Sequence, residues 1–224
     1  MESLRVTDGA PGLTALVGRA TGLDATASAR FQVLQPEGGN DPAVDVFVTT
    51  PFDCLAARRV AGEASRDGAA VAASDLLAAL QDGRAEVGTA RDANWPGALP
   101  PREGFVARDE VPVSVARQLA DKGRELARQF SGPLGPPKSL LESTVLTVDA
   151  ESDQPVEVPM RMIFTCTALG LIPGFAAPID VPRHLRIATA GRWVRMDAPF
   201  GSVYHSTGLG LFVQWAPSTS VAPG

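Results

Sequence analysis

Four side chains in this sequence can supply imidazole or thiol chemistry: His184, His205, Cys54 and Cys166. Activating a serine or cysteine nucleophile usually takes a histidine, and a structural zinc site takes four ligands, mostly His or Cys. The four lie far apart along the chain, with no CxxC, HxxxH or HExxH spacing. Cys166 falls in an apolar run, where a thiol behaves as a small hydrophobe, and Asp53 beside Cys54 disfavours a thiolate. His205 and Ser206 fall on an expected strand, where neighbours point to opposite faces and do not pair. GxSxG, GxxxxGK[ST] and strand-linked GxGxxG patterns are absent. Asp149, Glu151 and Asp153 alternate like calcium ligands, but Gln154 and Met160 stand where such a loop needs Gly and Glu. No metal and no cofactor is therefore expected. A hydrolase of unrecognised type working through Asp, Glu and Ser is the enzymatic alternative that composition leaves open.

The densest constellation is a basic hairpin near the C-terminus. Alternation over residues 184–188 and 192–197 turns Leu185, Ile187, Val194 and Met196 inward. It turns His184, Arg186, Trp193, Arg195 and Asp197 outward, with Arg183 and Arg192 nearby. Guanidiniums beside an exposed indole can grip an anion or an acidic partner, and Arg and Trp are typical interface anchors. The competing reading is a solvated sheet face on which Arg stems cover the ring and Asp197 offsets part of the charge. Arg58 and Arg59 form a second basic pair, expected at a salt-bridged surface or a subunit interface.

Composition narrows the partners. The chain has 224 residues and net charge −5, with 18 Arg against 2 Lys, the bias a GC-rich genome produces. Residues 1–90 carry 7 basic and 12 acidic side chains; residues 91–139, 140–173 and 174–224 sum to +2, −4 and +2. None is the dense positive field that phosphate neutralisation needs, so nucleic acid is a disfavoured partner. Two cysteines make no disulfide scaffold, the first residues show no apolar leader, and no run of 18 apolar residues occurs. A cytoplasmic protein without a membrane partner is expected.

The elements that must position these residues read as α+β: antiparallel sheets packed with a few helices, β-rich towards the C-terminus. Helices are expected at 13–20, from Ser74 to a left-handed Gly83, from Pro112 to Phe130, and at 159–170. The last is apolar nearly all round and should be interior. Strands are expected at 30–35, 44–49, 144–148, 155–158, 184–188, 192–197, 202–205 and 209–214, while residues 53–64 fit helix or strand poorly. The Pro/Gly-rich stretch around Trp95 divides the chain into a subdomain at 1–93, a linker at 94–111, a second subdomain at 112–216 and a disordered tail at 217–224. Trp95 is expected to anchor that stretch. No internal repeat is apparent.

Helix followed by a basic hairpin also resembles the closing half of a winged-helix domain, with the helix from Pro159 as recognition helix and Arg186–Arg195 as wing. Only Arg161 on that helix is a long polar reader. The segments LPPREGF (99–105), VPVSVARQLADKG (111–123) and SLLESTVLTV (139–148) are similar to an uncharacterised group of proteins from GC-rich Gram-positive, actinobacterial species. That resemblance implies a lineage and a cytoplasmic setting and carries over no functional residue. The reading favoured is a non-catalytic protein that binds a protein partner or itself. Arg183, His184, Arg186, Trp193 and Arg195 are its expected partner- or anion-binding residues.

Overall fold

Strand β1 (Glu2–Asp8) runs through Gly9 straight into helix α1 (Ala10–Leu23), which buries Leu13, Leu16, Val17 and Ala20 along one side. Three strands follow: β2 (Ser28–Leu34), β3 (Ala43–Thr49) and β4 (Leu55–Ala64). The stretch with poor periodicity is thus a strand, ten residues long. Alternation failed to reveal β4 because its two faces are both covered, so Leu55 and Ala57 are as buried as Ala56 and Val60. A short β5 (Ala70–Ala72) leads into α2 (Ala73–Asp82), capped by left-handed Gly83 as the sequence predicts, and β6 (Glu86–Gly88) returns to β1.

The second half opens with β7 (Val106–Pro112) and the long α3 (Val113–Phe130), then a short α4 (Lys138–Glu142) and β8 (Thr144–Val148). Next come β9 (Val156–Pro159), α5 (Met160–Ala168), β10 (His184–Ala190), β11 (Trp193–Ala198) and β12 (Gly201–Ser206). This computed structural model describes residues 1–34, 41–130, 136–148, 155–174, 177–178 and 180–207. The acidic turn at 149–154, the strand expected at 209–214 and the tail at 217–224 lie outside the described residues. All strand pairings are antiparallel, as expected for the α+β class. The expected linker is too long at its C-terminal end. Residues 106–111 belong to β7, which pairs with β10 from Val106 opposite Thr189 to Pro112 opposite His184.

One sheet runs β5-β2-β3-β4-β12-β11-β10-β7 and joins both halves through β4 and β12. Long β4 makes the join possible: its first residues, Leu55–Ala57, pair with β12, and its last, Ala61–Ala64, pair with β1. At the β1 crossing Gly62 has φ +146, and a side chain there would meet the Arg5 carbonyl at 2.0 Å. The helices cover one face of the sheet. Phe31, Val44, Val46, Val60, Ile187 and Met196 pack there with Leu13, Leu16, Ile163 and Leu169 in one continuous core. Burying each large side chain stabilises the fold by roughly 1.5–3 kcal/mol. Helix α5 is buried from Met160 to Cys166, and Gly123 of α3 lets it approach, since a Cβ there would meet Met160 and Phe164 at 2.8 Å.

The two halves repeat one arrangement that the sequence hides. Strand–helix–three strands (β1-α1-β2-β3-β4) recurs as β9-α5-β10-β11-β12, and the order of elements differs around it. In the first half β5-α2-β6 follows, with β5 on β2 and β6 on β1; in the second, β7-α3-β8 precedes, with β7 on β10 and β8 on β9. The repeat lies in pairing and packing, which share no residue pattern strong enough to see along the chain.

Candidate functional site

The face of the sheet away from the helices carries a ladder of charges. Across β3, β4, β12, β11, β10 and β7, register aligns Asp45 with Arg59, Tyr204 with Arg195, Ser202 with Asp197, Asp197 with Arg186, and Arg186 with Glu110. Arg59 grips Asp45 with both Nε and Nη2 at 2.8 Å, which holds the guanidinium protonated above its ordinary range. Arg195 Nε lies 2.9 Å from Asp197, Ser202 donates to Asp197 at 2.6 Å, and Arg186 donates to Glu110 at 3.1 Å. Arg58, one residue from Arg59, points to the helix side and donates to the Phe200 carbonyl at 2.7 Å. Of these, Asp45, Arg58, Arg59, Arg195, Asp197, Ser202 and Tyr204 ring a cavity of about 400 Å³ over the β4–β12 junction. Burial and the Asp45 charge push the Tyr204 phenol up to about 12, so it stays a donor.

Beside the ladder lies an aromatic cluster. The irregular segment from Trp95 to Phe105 straps across the sheet, and Trp95, Leu99 and Phe105 pack on Phe47, Leu55, Trp193 and Tyr204. The strap is tied by Gln32 donating to the Pro100 carbonyl at 3.3 Å and by the Arg102–Asp67 ion pair. Arg30 lies over Trp95 at 5.7 Å, and Arg195 stacks on Phe105 at 4.3 Å. Trp95 anchors the segment, as expected of it.

The strap corrects the reading of the hairpin. Leu185, Ile187, Val194 and Met196 do face the core, but Trp193 is only 5% exposed, because the linker covers the outward face. It is therefore a packing residue. Arg183 is spent on the carbonyls of Gly174 and Ala177, at 3.0 and 2.9 Å. His184 is half-exposed, 3.8 Å from Glu110. Arg186 and Arg195 each have their own carboxylate, so the expected cluster does not converge into an anion grip. The Arg58–Arg59 pair and the hairpin, far apart in sequence, do meet around one cavity.

The winged-helix reading is overturned. The supposed recognition helix is α5, buried on every side, and the supposed wing is two inner strands of the sheet. An interior helix cannot enter a groove.

His184 and His205 do not meet, since they stand on opposite faces with β11 between them. Cys54 and Cys166 are both buried, and desolvation pushes each thiol up to about 12. Among the described residues no group of three or more His, Cys, Asp or Glu side chains could hold a metal. Helix-side chemistry gathers instead around Arg161, which the sequence reading weighed only as a groove reader. That guanidinium is 5% exposed and donates to Asp53 at 3.0 Å and to the Phe52 carbonyl at 3.3 Å. His205 lies against the Asp53 backbone, with its pKa lowered by burial and then by the Arg161 charge. The visible signal was one arginine inside an otherwise apolar helix, a charge that needs a buried partner.

Residues 1–97 match a domain of unknown function (DUF8010). Residues 100–210 match another, DUF8185. No curated protein matches the chain. The fold is similar to that of DNA polymerase sliding clamps. It is similar to the DNA polymerase III subunit beta of Pseudomonas aeruginosa, with 13% identity and TM-score 0.55 over 96% of this chain and 67% of that one. Caulobacter crescentus pol III beta gives 12% and 0.52 over 96% and 67%. A putative DNA polymerase III beta subunit from Eubacterium rectale gives 8% and 0.53 over 96% and 66%. The chain spans about two thirds of the length of those proteins, and at such identities the likeness is one of fold. None of the helices among the described residues is long and apolar enough to cross a membrane.

Proposed function

We propose that this chain is a non-catalytic interaction protein whose outer sheet face binds a protein, either a partner or a second copy. One observation carries the reading: both halves fuse through β4 and β12 into a single outer face, on which charged side chains from each half meet around one cavity over the junction. Arginine, which supplies most of the charge around that cavity, is enriched at protein interfaces. The fold supports the same reading, since similar structures are described as DNA polymerase sliding clamps. The charge ladder fits a polypeptide better than a phosphate, because Arg59, Arg186 and Arg195 already face carboxylates. On the Arg-over-Lys bias and the two free thiols we further infer a bacterial cytoplasm of the GC-rich Gram-positive kind.

Light scattering tests the self-association branch: a dimer that becomes monomeric in Arg59→Glu/Arg195→Glu is expected, and a dimer indifferent to those changes counts against the face. Nucleic acid is tested beside it. DNA retention with a steep salt dependence, lost in Arg186→Ala/Arg195→Ala, would replace the protein-binding reading.

A further inference from the structure

Four buried side-chain atoms among the described residues have no hydrogen-bond partner: Arg161 Nε, Arg195 Nε, His205 Nδ1 and Ser206 Oγ. Arg195 Nε has the Asp197 carboxylate 2.9 Å away. Ser206 Oγ points to the outer face with its cross-strand partner Trp193, whereas Arg161 Nε and His205 Nδ1 belong to residues lining one cavity of about 350 Å³, between the turn at Asp53, α4, the start of α5 and the end of β12. Leaving a polar group buried and unpaired costs about 1–3 kcal/mol, so two in one wall call for a reason. Backbone strain marks the same spot. Asp53 is the one non-glycine among the described residues with positive φ, at 54°, and strain of this kind clusters at ligand sites.

The chemistry of the wall selects a ligand. Arg161 Nε can only donate, so it calls for an oxygen. His205 rests on the Asp53 backbone through its other nitrogen, which leaves Nδ1 an acceptor that calls for N–H or O–H. Charge decides between ligand classes. Asp53, Glu142 and Glu157 supply three negative charges, Lys138 and Arg161 two positive ones, and neutral His205 none, a balance of −1. Arg161 is moreover already held by Asp53 at 3.0 Å and Glu142 at 3.6 Å. A phosphate would face unmatched carboxylates, whereas an amine would find them.

We propose that this cavity is a binding site for a small neutral or singly cationic molecule carrying amine N–H donors and hydroxyl or carbonyl oxygens. Its volume is at the lower end for small-molecule sites. The site is separate from the outer face, on the opposite side of the sheet, and does not depend on the interaction reading.

Glucosamine and inorganic phosphate are suitable probes, added to the full chain with the His205 ring signals followed by NMR. Glucosamine should shift those signals saturably, and Glu157→Gln and Glu142→Gln should each weaken the response about tenfold, the effect of one hydrogen bond. Both substitutions are small enough to keep the fold, which the unchanged remainder of the spectrum verifies. The proposal is overturned if glucosamine produces no saturable shift, as when ordered water alone fills the cavity. A shift equal in wild type and both variants, or tighter binding of phosphate, also overturns it.

Discussion

The two halves share a frame and use it differently. In the first, the edge strand β5 is sealed: Arg91 donates its N–H to the Ala70 carbonyl at 2.7 Å, and the Asp92 carboxylate accepts from the Ala70 N–H at 2.8 Å. Its equivalent β7 has a bulge near Arg108 and the charged run Arg108, Asp109, Glu110, ending at Pro112. Bulge, charge and proline are the devices that keep an open edge from pairing indiscriminately. The helices diverge as well. The second residue of α1 is exposed Pro11, and the second residue of α5 is buried Arg161. A duplicated scaffold thus keeps one half as plain packing and concentrates buried polar chemistry in the other. The outer face, by contrast, draws on both halves at their seam.

The largest test of that contrast concerns the helices. Ile163→Ala in α5 should cost roughly 2–5 kcal/mol in denaturant unfolding, because nothing can collapse into the gap. Ala15→Ser on the open side of α1 should change stability by no more than about 0.5 kcal/mol. Similar costs at both sites would erase the distinction between an interior and a surface helix. Because β4 and β12 are one sheet, both halves should also unfold in a single transition.

Alkaline conditions give the next effect. Cys54, Cys166 and Tyr204 all hold their protons up to about 12 in the folded chain, above their ordinary values of 9, 9 and 10. Between pH 9 and 12 the unfolded chain therefore binds fewer protons, and stability must fall as pH rises. Cys54→Ala/Cys166→Ala should flatten that slope. Neither thiol should react with a thiol reagent at neutral pH until the chain is unfolded. His205 works in the opposite direction at low pH. Its pKa is lowered on folding, so the unfolded chain takes the proton first and stability falls as pH drops below about 6.5.

The smallest expected effect separates the ladder from ordinary surface pairs. Arg59→Ala strands the largely covered Asp45 carboxylate and should cost about 1 kcal/mol, after allowing for the exposed guanidinium. Lys138→Ala breaks an exposed i,i+4 pair with Glu142 and should cost about 0.3 kcal/mol. Equal costs would mean that the ladder contributes nothing beyond solvated charge.

Much of the frame was legible in the sequence. Periodicity and caps located α2, α3, α5 and the strands of the basic hairpin, since each has one dominant environment along its length. What escaped had two environments or none of its own. Strand β1 alternates poorly, β4 is covered on both faces, and β7 looked like linker because its exposed edge carries charge. The site was less legible than the fold. Arg58, Arg59 and Arg195 were visible as basic residues, but only strand register brings them together. Trp193 looked exposed because alternation knows nothing of a strap arriving from a hundred residues upstream. The Arg161–His205 cavity joins β12 to a turn before β4, a contact that no local pattern encodes.

Site-specific photocrosslinking in the native cell tests the central claim most directly, with a photoreactive residue at Arg186 on the outer face or at Ala15 on α1. The account predicts a polypeptide adduct from position 186 and none from position 15. An adduct from position 15 alone, or no polypeptide adduct from either, would contradict it.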